Sequence, residues 1–389
     1  MKINKGKFTN KPQFSMARFE TVSDETIKQG RCTDIYFVRT EETLIREHIN
    51  PSVSMEVTAA ALPDPWAVFC GLSDVITLLE GLPVSVDAMP EGTIFFRNEP
   101  VLRISGKYCD FCRYETAILG FLCHASGIAS AAAHITVAAR GHPVYSFGSR
   151  RQHPAIAGMI ERAAWIGGVD GVSNTCAPEG IPVVGTMPHA FVMCYEKPED
   201  AWRSFERHAP AEVPRIMLCD TWCDEKSESL RAAECGAAMV RLDTPRSRRG
   251  DMHAIIDEVR WELDAHGYDN VKILLTGGVT RGDITASVKS VDAFGVGGAI
   301  ANAPVIDFGM DIVGIEGKPK AKRGKRSGIK QVYELPGGDH QMLPISKKAP
   351  AGGKPLLEPF IKNGIVLKGS DMQDARRRVL EKLSAVTSS

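Results

Sequence analysis

No stretch of this 389-residue chain approaches the roughly 18 consecutive apolar residues of a membrane span, which argues against an integral membrane protein. The opening segment, MKINKGKFTNKPQF, lacks the apolar core of a signal peptide. Neither sign of charge prevails: Lys and Arg total 47 and so do Asp and Glu, so nothing in the balance calls for nucleic acid or a membrane surface as partner. The ten cysteines lack the spacing of a disulfide framework and scatter as free thiols do in a reducing cytosol. Cys109 and Cys112 form a CxxC, but no second pair follows at zinc-ribbon spacing, so a closed four-cysteine site is not expected and no metal ligands are assigned. The G-x-x-x-x-G-K-[ST] pattern is missing too, which excludes a P-loop nucleotidase. The expectation is a soluble, cytoplasmic protein.

What is present is an order. Six short apolar runs end in polar residues: Pro143–Arg151, Pro182–His189, Arg215–Thr221, Ala238–Thr244, Val271–Val279 and Val291–Gly298. Helix-like stretches separate most of them, the pattern of parallel strands in an α/β barrel, whose active site lies at the carboxyl ends of its strands. Before the barrel, residues 1–135 read as an α+β domain: IYFVRT as a strand, Trp66–Leu79 as a short helix, and LPVSVDAMPEGTIFF and VLRIS as strands broken by turns. Tyr114 to Ala139 reads as a long buried helix. The barrel spans 136–305. Residues 306–389 hold a basic segment, with seven Lys/Arg and no acid between 318 and 330, and a tail expected to return to the N-terminal domain, ending in an amphipathic helix at Asp371–Leu383.

The strand ends carry the chemistry. Gly277 and Gly278 in TGGV, with Gly297 and Gly298 in FGVGG, let backbone N–H groups approach a phosphate, or else are plain turns. Asp220 and Asp243 close LCDT and RLDT; acids there bind ribose hydroxyls or a Mg²⁺–diphosphate, or cap the next helix. Arg150 and Arg151, and Arg246, Arg248 and Arg249, match anions with guanidinium forks. His189 in GTMPHA suits a general acid, a phosphate ligand or a phosphoryl acceptor, and His153 is a weaker candidate of the same kind.

The ordered set TDIY (33–36), EGTI (91–94), YCDFCRYETAILGF (108–121), SFGSRRQHPA (146–155), GGVDGVSN (167–174), GTMPHA (185–190), RLDTPRSRRG (241–250), TGGV (276–279) and FGVGG (294–298) resembles the nicotinate phosphoribosyltransferases, and among them the archaeal-type members. The resemblance runs from about Ser23 to Lys330. It implies a type II phosphoribosyltransferase fold, an α+β domain on an irregular α/β (TIM-like) barrel, and a homodimer or higher oligomer with shared active sites. The implied reaction joins nicotinate to 5-phosphoribosyl 1-diphosphate with Mg²⁺, giving nicotinate mononucleotide and diphosphate in NAD salvage. Many members couple ATP hydrolysis as a ligase does, through a phosphohistidine, which by motif match is His189.

By the same match, Phe147 stacks on the pyridine ring opposite Tyr36 of a partner subunit. Arg150 or Arg151 lies near the nicotinate carboxylate and the diphosphate. Arg241 and Asp243 hold the ribose, Asp220 assists with Mg²⁺ or the diol, and the four glycines hold the 5′-phosphate. Ser173 takes the place of an acid that in the related nicotinamide enzyme accepts from the amide; a buried acid facing a carboxylate would be repulsive. Archaeal-type relatives tend to carry a cysteine-rich zinc knuckle after the basic segment, whereas no cysteine follows Cys235 here, so no structural zinc is expected. The rival readings are quinolinate phosphoribosyltransferase, which decarboxylates its substrate on a similar fold, and a catalytically silent phosphate-binding barrel.

Overall fold

The structure, a computed structural model, describes residues 19–387 apart from 246, 248 and 249. Arg246, Arg248 and Arg249, named above as anion ligands, therefore lie outside the described residues.

Two sheets organise the chain. One is antiparallel, with seven strands in the order Lys318–Pro319, Phe308–Ile315, Ser52–Ala59, Pro100–Lys107, Val84–Ala88, Glu358–Lys362 and Ile365–Val366. Residues from both ends of the chain thus share one sheet: Glu358–Lys362 pairs with Val84–Ala88, and Phe308–Ile315 with Ser52–Ala59. The other sheet is parallel and all α/β, ordered Gly171–Val172, Val144–Ser146, Ala293–Val296, Lys272–Leu275, Met239–Leu242, Ile216–Cys219. In that order the first strand in sequence, Val144–Ser146, pairs with the last, Ala293–Val296. Such wrap-around pairing is barrel-like.

The barrel-like parallel sheet is interrupted at one place. Pro182–His189 reads in the sequence as a full strand, but it contributes only one parallel bridge, Val172 to Val183. Pro182 and Pro188 have no N–H to give a ladder, so the run cannot pair along its length. Among the described residues no strand pairing joins it to Ile216–Cys219, and the wall has a seam there.

IYFVRT also departs from expectation. It is the start of a helix, Ile35–Arg46. Its β-branched and aromatic residues suggest a strand, yet only Phe37 is buried, and Asp34 ties the helix start to the long helix through Thr116. Within Trp66–Leu79 only Leu72–Leu79 is α-helical, while Ala67–Val68 pairs with Ile94–Phe95.

The long helix Glu115–Ala138 joins the two halves. Ile118 and Leu122 pack in the core of the antiparallel domain, and Ala125 to Ala133 in the core of the barrel. The stretch Tyr108–Ala138 is also, by length and composition, apolar enough to cross a membrane. Its apolar residues, among them Ile118, Leu122, Ile128 and Ile135, are interrupted by Ser, His and Thr rather than gathered in a run, and 61% of its apolar window is buried inside the fold. Membrane-like composition here is the composition of a core helix.

The closing helix, Met372–Thr387, buries Ala375, Val379 and Leu383 against the barrel-side core. Arg376 lies over the Trp165 ring at 3.6 Å and donates to the carbonyls of Trp165 and Val169. Nearby, the buried Glu91 of the antiparallel domain accepts from Arg162 of the barrel helix Ala157–Ile166 at 2.6 and 3.0 Å. Paired, bidentate charge is the arrangement in which a buried carboxylate is tolerated.

Candidate active site

The strand Met239–Leu242 alternates in burial: Val240 and Leu242 are fully buried, whereas Arg241 is only partly so. Its guanidinium donates to Asp243 Oδ2 at 2.8 Å, Thr276 Oγ1 at 3.3 Å, the Met187 carbonyl at 3.1 Å and Thr186 Oγ1 at 3.4 Å. One side chain thus links the ends of two neighbouring strands to the segment on the far side of the seam. It does with side-chain bonds what the missing backbone ladder does elsewhere in the wall.

Asp220 follows the strand Ile216–Cys219, and its side chain is 4% exposed. Its Oδ2 accepts from the Asp243 amide at 3.0 Å and the Thr244 hydroxyl at 2.7 Å, while its Oδ1 is buried with no hydrogen-bond partner. Burial pushes this carboxyl up to about 7, against the pull of Thr244 and the Asp243 amide, and the charges of Asp243 and Glu225 raise it further.

His189 stands beside it. Nδ1 lies 3.1 Å from Thr221 Oγ1, and Nε2 lies 3.8 Å from both Asp220 Oδ1 and Asp243 Oδ2, too far for a direct hydrogen bond. Burial lowers the imidazole pKa and Arg241 lowers it too, with Asp243 opposing. Both effects favour the neutral imidazole over the charged one.

Gly277 and Gly278 both have positive φ, 87° and 73°, and the Gly277 α-carbon packs against the Asp243 backbone. Gly297 follows the strand Ala293–Val296, and Gly298 opens the short helix Gly298–Ala301. The Phe147 amide donates to the Val296 carbonyl at 2.8 Å, and its ring runs parallel to Tyr145 with centroids 6.4 Å apart. Arg150 and Arg151 are exposed in the turn that follows, and Ser173 is exposed at the end of Gly171–Val172. His153 instead accepts from the Ala155 amide as a cap.

The fold therefore gathers His189, Asp220, Arg241, Asp243 and Gly277 in mutual contact, and sets Phe147, Arg150, Arg151, Ser173, Gly297 and Gly298 on neighbouring strand ends. It does not bring Tyr36 to them. Tyr36 is 57% exposed on the helix Ile35–Arg46, touching Asp34 and Phe37.

Two acids escaped the sequence reading. Glu161, on the helix Ala157–Ile166, is wholly buried beside Ser146 and Ser149, and burial raises its pKa while the two hydroxyls lower it. Glu228 is wholly buried under the Asp220 loop. The available signal was its place on the helix Glu225–Glu234, where it shares the inner face with Ser229, Ala232 and Ala233.

A pH-dependent stability follows from Asp220. An unfolded chain ionises aspartate near 3.9, about the ordinary value, whereas the folded protein holds this proton to about 7. Between those values the folded state binds the extra proton, so the contribution falls as pH rises from about 4 to about 7 and is level above that. In thermal melts without divalent cations, wild type should lose stability relative to Asp220→Asn across that window. Parallel curves would show that Asp220 ionises normally.

Comparison with known proteins fits this geometry. Residues 34–126 match the N-terminal domain of quinolinate phosphoribosyl transferase, and residues 128–311 match its C-terminal domain. A nicotinate phosphoribosyltransferase of Mycobacterium tuberculosis is 28% identical over 390 residues, covering 85% of this chain and 81% of the relative. Among solved structures, nicotinate-nucleotide pyrophosphorylase from Pyrococcus furiosus is 50% identical, with a TM-score of 0.93 over 95% of this chain and 98% of that one. Human nicotinic acid phosphoribosyltransferase shares the fold at 19% identity, with a TM-score of 0.73 over 90% of this chain and 93% of its own. With both domains matched and half its residues shared along almost the full length of a solved structure, the chain belongs to the quinolinate phosphoribosyl transferase family.

Proposed function

We propose that the protein transfers the phosphoribosyl group of 5-phosphoribosyl 1-diphosphate to nicotinate, forming nicotinate mononucleotide and diphosphate in the salvage branch of NAD synthesis in the cytoplasm. The observation that carries this reading is the contact cluster of His189, Asp220, Arg241 and Asp243 at the strand ends, directly against the Gly277–Gly278 turn. A substrate with several negative charges needs cationic and amide donors, and a sugar with a diol needs acceptors; both sets converge here.

In this reading the glycine turns take the 5′-phosphate, Asp243 and Arg241 the ribose, and Phe147 one face of the pyridine. Tyr36 of a second copy covers the other face in a homodimer with shared sites. Arg150 and Arg151, exposed beside the Phe147 turn, meet the carboxylate and the diphosphate. The ring nitrogen already has its lone pair, so no general base is needed; the protein's work is orientation and stabilisation of charge as the glycosidic bond to diphosphate breaks. Ser173 leaves the carboxylate end of the pocket without the acid that would repel it.

The donor set fits Mg²⁺. Asp220 Oδ1 is a buried, unpartnered oxygen next to Asp243, and hard cations take oxygen ligands. Asp220 and Asp243 would hold the ion, and the chemistry it would supply is neutralisation of charge on the diphosphate. ATP serves as co-substrate: an imidazole nitrogen of His189 attacks the γ-phosphorus and ADP leaves, and hydrolysis of the resulting phosphohistidine releases phosphate.

The second reading is quinolinate as substrate, favoured by the domain descriptions matched over 34–311. A product assay decides. Purified protein with Mg²⁺ and 5-phosphoribosyl 1-diphosphate is given nicotinate, nicotinamide or quinolinate, each with and without ATP. Mononucleotide from nicotinate alone, faster with ATP, is expected. CO₂ release from quinolinate with no turnover of nicotinate would replace this reading, and equal rates with and without ATP would remove the phosphohistidine role.

A further inference from the structure

The loop after Asp220 is built around an internal anion. The four consecutive amides of Asp220, Thr221, Trp222 and Cys223 all donate to Glu228, the first two to Oε2 at 2.8 and 2.9 Å and the last two to Oε1 at 2.7 and 3.0 Å. Successive N–H groups pointing into one hollow make an anion-binding nest, which forms where left-handed backbone turns the amides to the same side. Asp220 supplies that turn with φ of 97°, a conformation a non-glycine residue holds only when its surroundings impose it. Glu228 is 0% exposed, so the nest is filled from below by the protein itself.

This placement inverts the loop's chemistry. Vacant, four amides at a barrel strand end would take a phosphate, as other barrel loops do. With Glu228 in the hollow, the donors are spent inward and the loop presents the Asp220 carboxyl to His189 instead. Asp220 Oδ1 is left buried and unpartnered, 3.8 Å from His189 Nε2, while Thr221 holds His189 Nδ1. In the proposed reading, phosphate binding is left to the glycine turns after Lys272–Leu275 and Ala293–Val296.

We propose that Glu228 is the positioning residue of this site: its carboxylate fixes the 220–223 backbone so that Asp220 and Thr221 address His189. The inference rests on the phosphoribosyl-transfer reading for its kinetic arm only. A helix-stabilising role for Glu228 would predict lost stability with kinetics unchanged per folded molecule.

The test uses Glu228→Gln, whose carboxamide can accept from two amides but turns its NH₂ towards the other two. Hydrogen exchange should show the amides of residues 220–223 losing protection by about tenfold or more, with the barrel strands unchanged. In turnover, kcat should fall by about tenfold to a hundredfold, with the KM for nicotinate within about threefold. In a mutant cycle, Glu228→Gln placed on the Asp220→Ala/Thr221→Ala double variant should add less than about threefold, because both of its routes to His189 are already cut.

Full additivity in that cycle, unchanged kcat, or undiminished protection at 220–223 would each overturn the proposal. If Glu228→Gln does not fold, Glu228→Asp keeps the charge but withdraws it by one methylene, and the same three readings decide. A wild-type protein that makes no mononucleotide sinks the functional reading, and the exchange measurement still judges the loop.

Discussion

Arg241→Ala is expected to lower kcat/KM by about 10²–10³-fold, the scale on which a preorganised donor at a reacting charge is lost. The physical reason is that this one guanidinium serves three structures at once. It holds Asp243, it reaches Thr276 beside the glycine turn, and it closes the seam by bonding the Met187 carbonyl. Alanine leaves Asp243 Oδ2 without its cation and the segment leading to His189 without its tie to the wall. Arg241→Lys separates the two losses. A lysine restores a charge beside Asp243 but cannot fork to Thr276 and Met187 together, so it should recover part of the activity and little of the order at the seam. Steady-state kinetics of both variants check this. Activity within threefold of wild type in Arg241→Ala would place the arginine outside the site.

The barrel was legible because its strands end in chemistry. Glycine pairs, acids and a histidine recur after short apolar runs, and one periodic signal repeated several times outweighs local ambiguity. What the sequence hid is tertiary. IYFVRT has strand-like residues, and its helix is set by Phe37 finding the core and Asp34 finding Thr116 across 82 residues. The seam at Pro182–His189 follows from prolines that the apolar pattern masks. Glu228 reads as an ordinary acid in the first turn of a helix, where the dipole favours it. Only the folded loop shows that its carboxylate is the centre of four amides. Tyr36 is legible as a motif and not as a neighbour, since within one chain its hydrogen bond is to Asp34 and its ring contact to Phe37.

Gly148→Ala is the second large effect, and it tests whether the ring side and the phosphate side of the site are held in register. Gly148 has φ of −104°, a conformation any residue adopts, so an alanine there meets no backbone strain. Space is the whole difficulty. A Cβ would lie 2.3 Å from the Gly297 carbonyl oxygen and 2.6 Å from the Ala301 Cβ, and neither atom belongs to a flexible side-chain end. The loop that carries Phe147, Arg150 and Arg151 must then move off the loop that carries Gly297 and Gly298. Overpacking of this kind costs about 1–3 kcal/mol in stability. The larger consequence is kinetic, because a shift of about 1 Å between groups that must meet the two ends of one substrate costs on the order of a hundredfold. The loss should appear in kcat/KM for both substrates together, since the alanine touches neither site alone but the distance between them. A fall confined to one substrate would mean the two loops adjust independently, and unchanged kinetics with a lowered Tm would reduce the contact to packing.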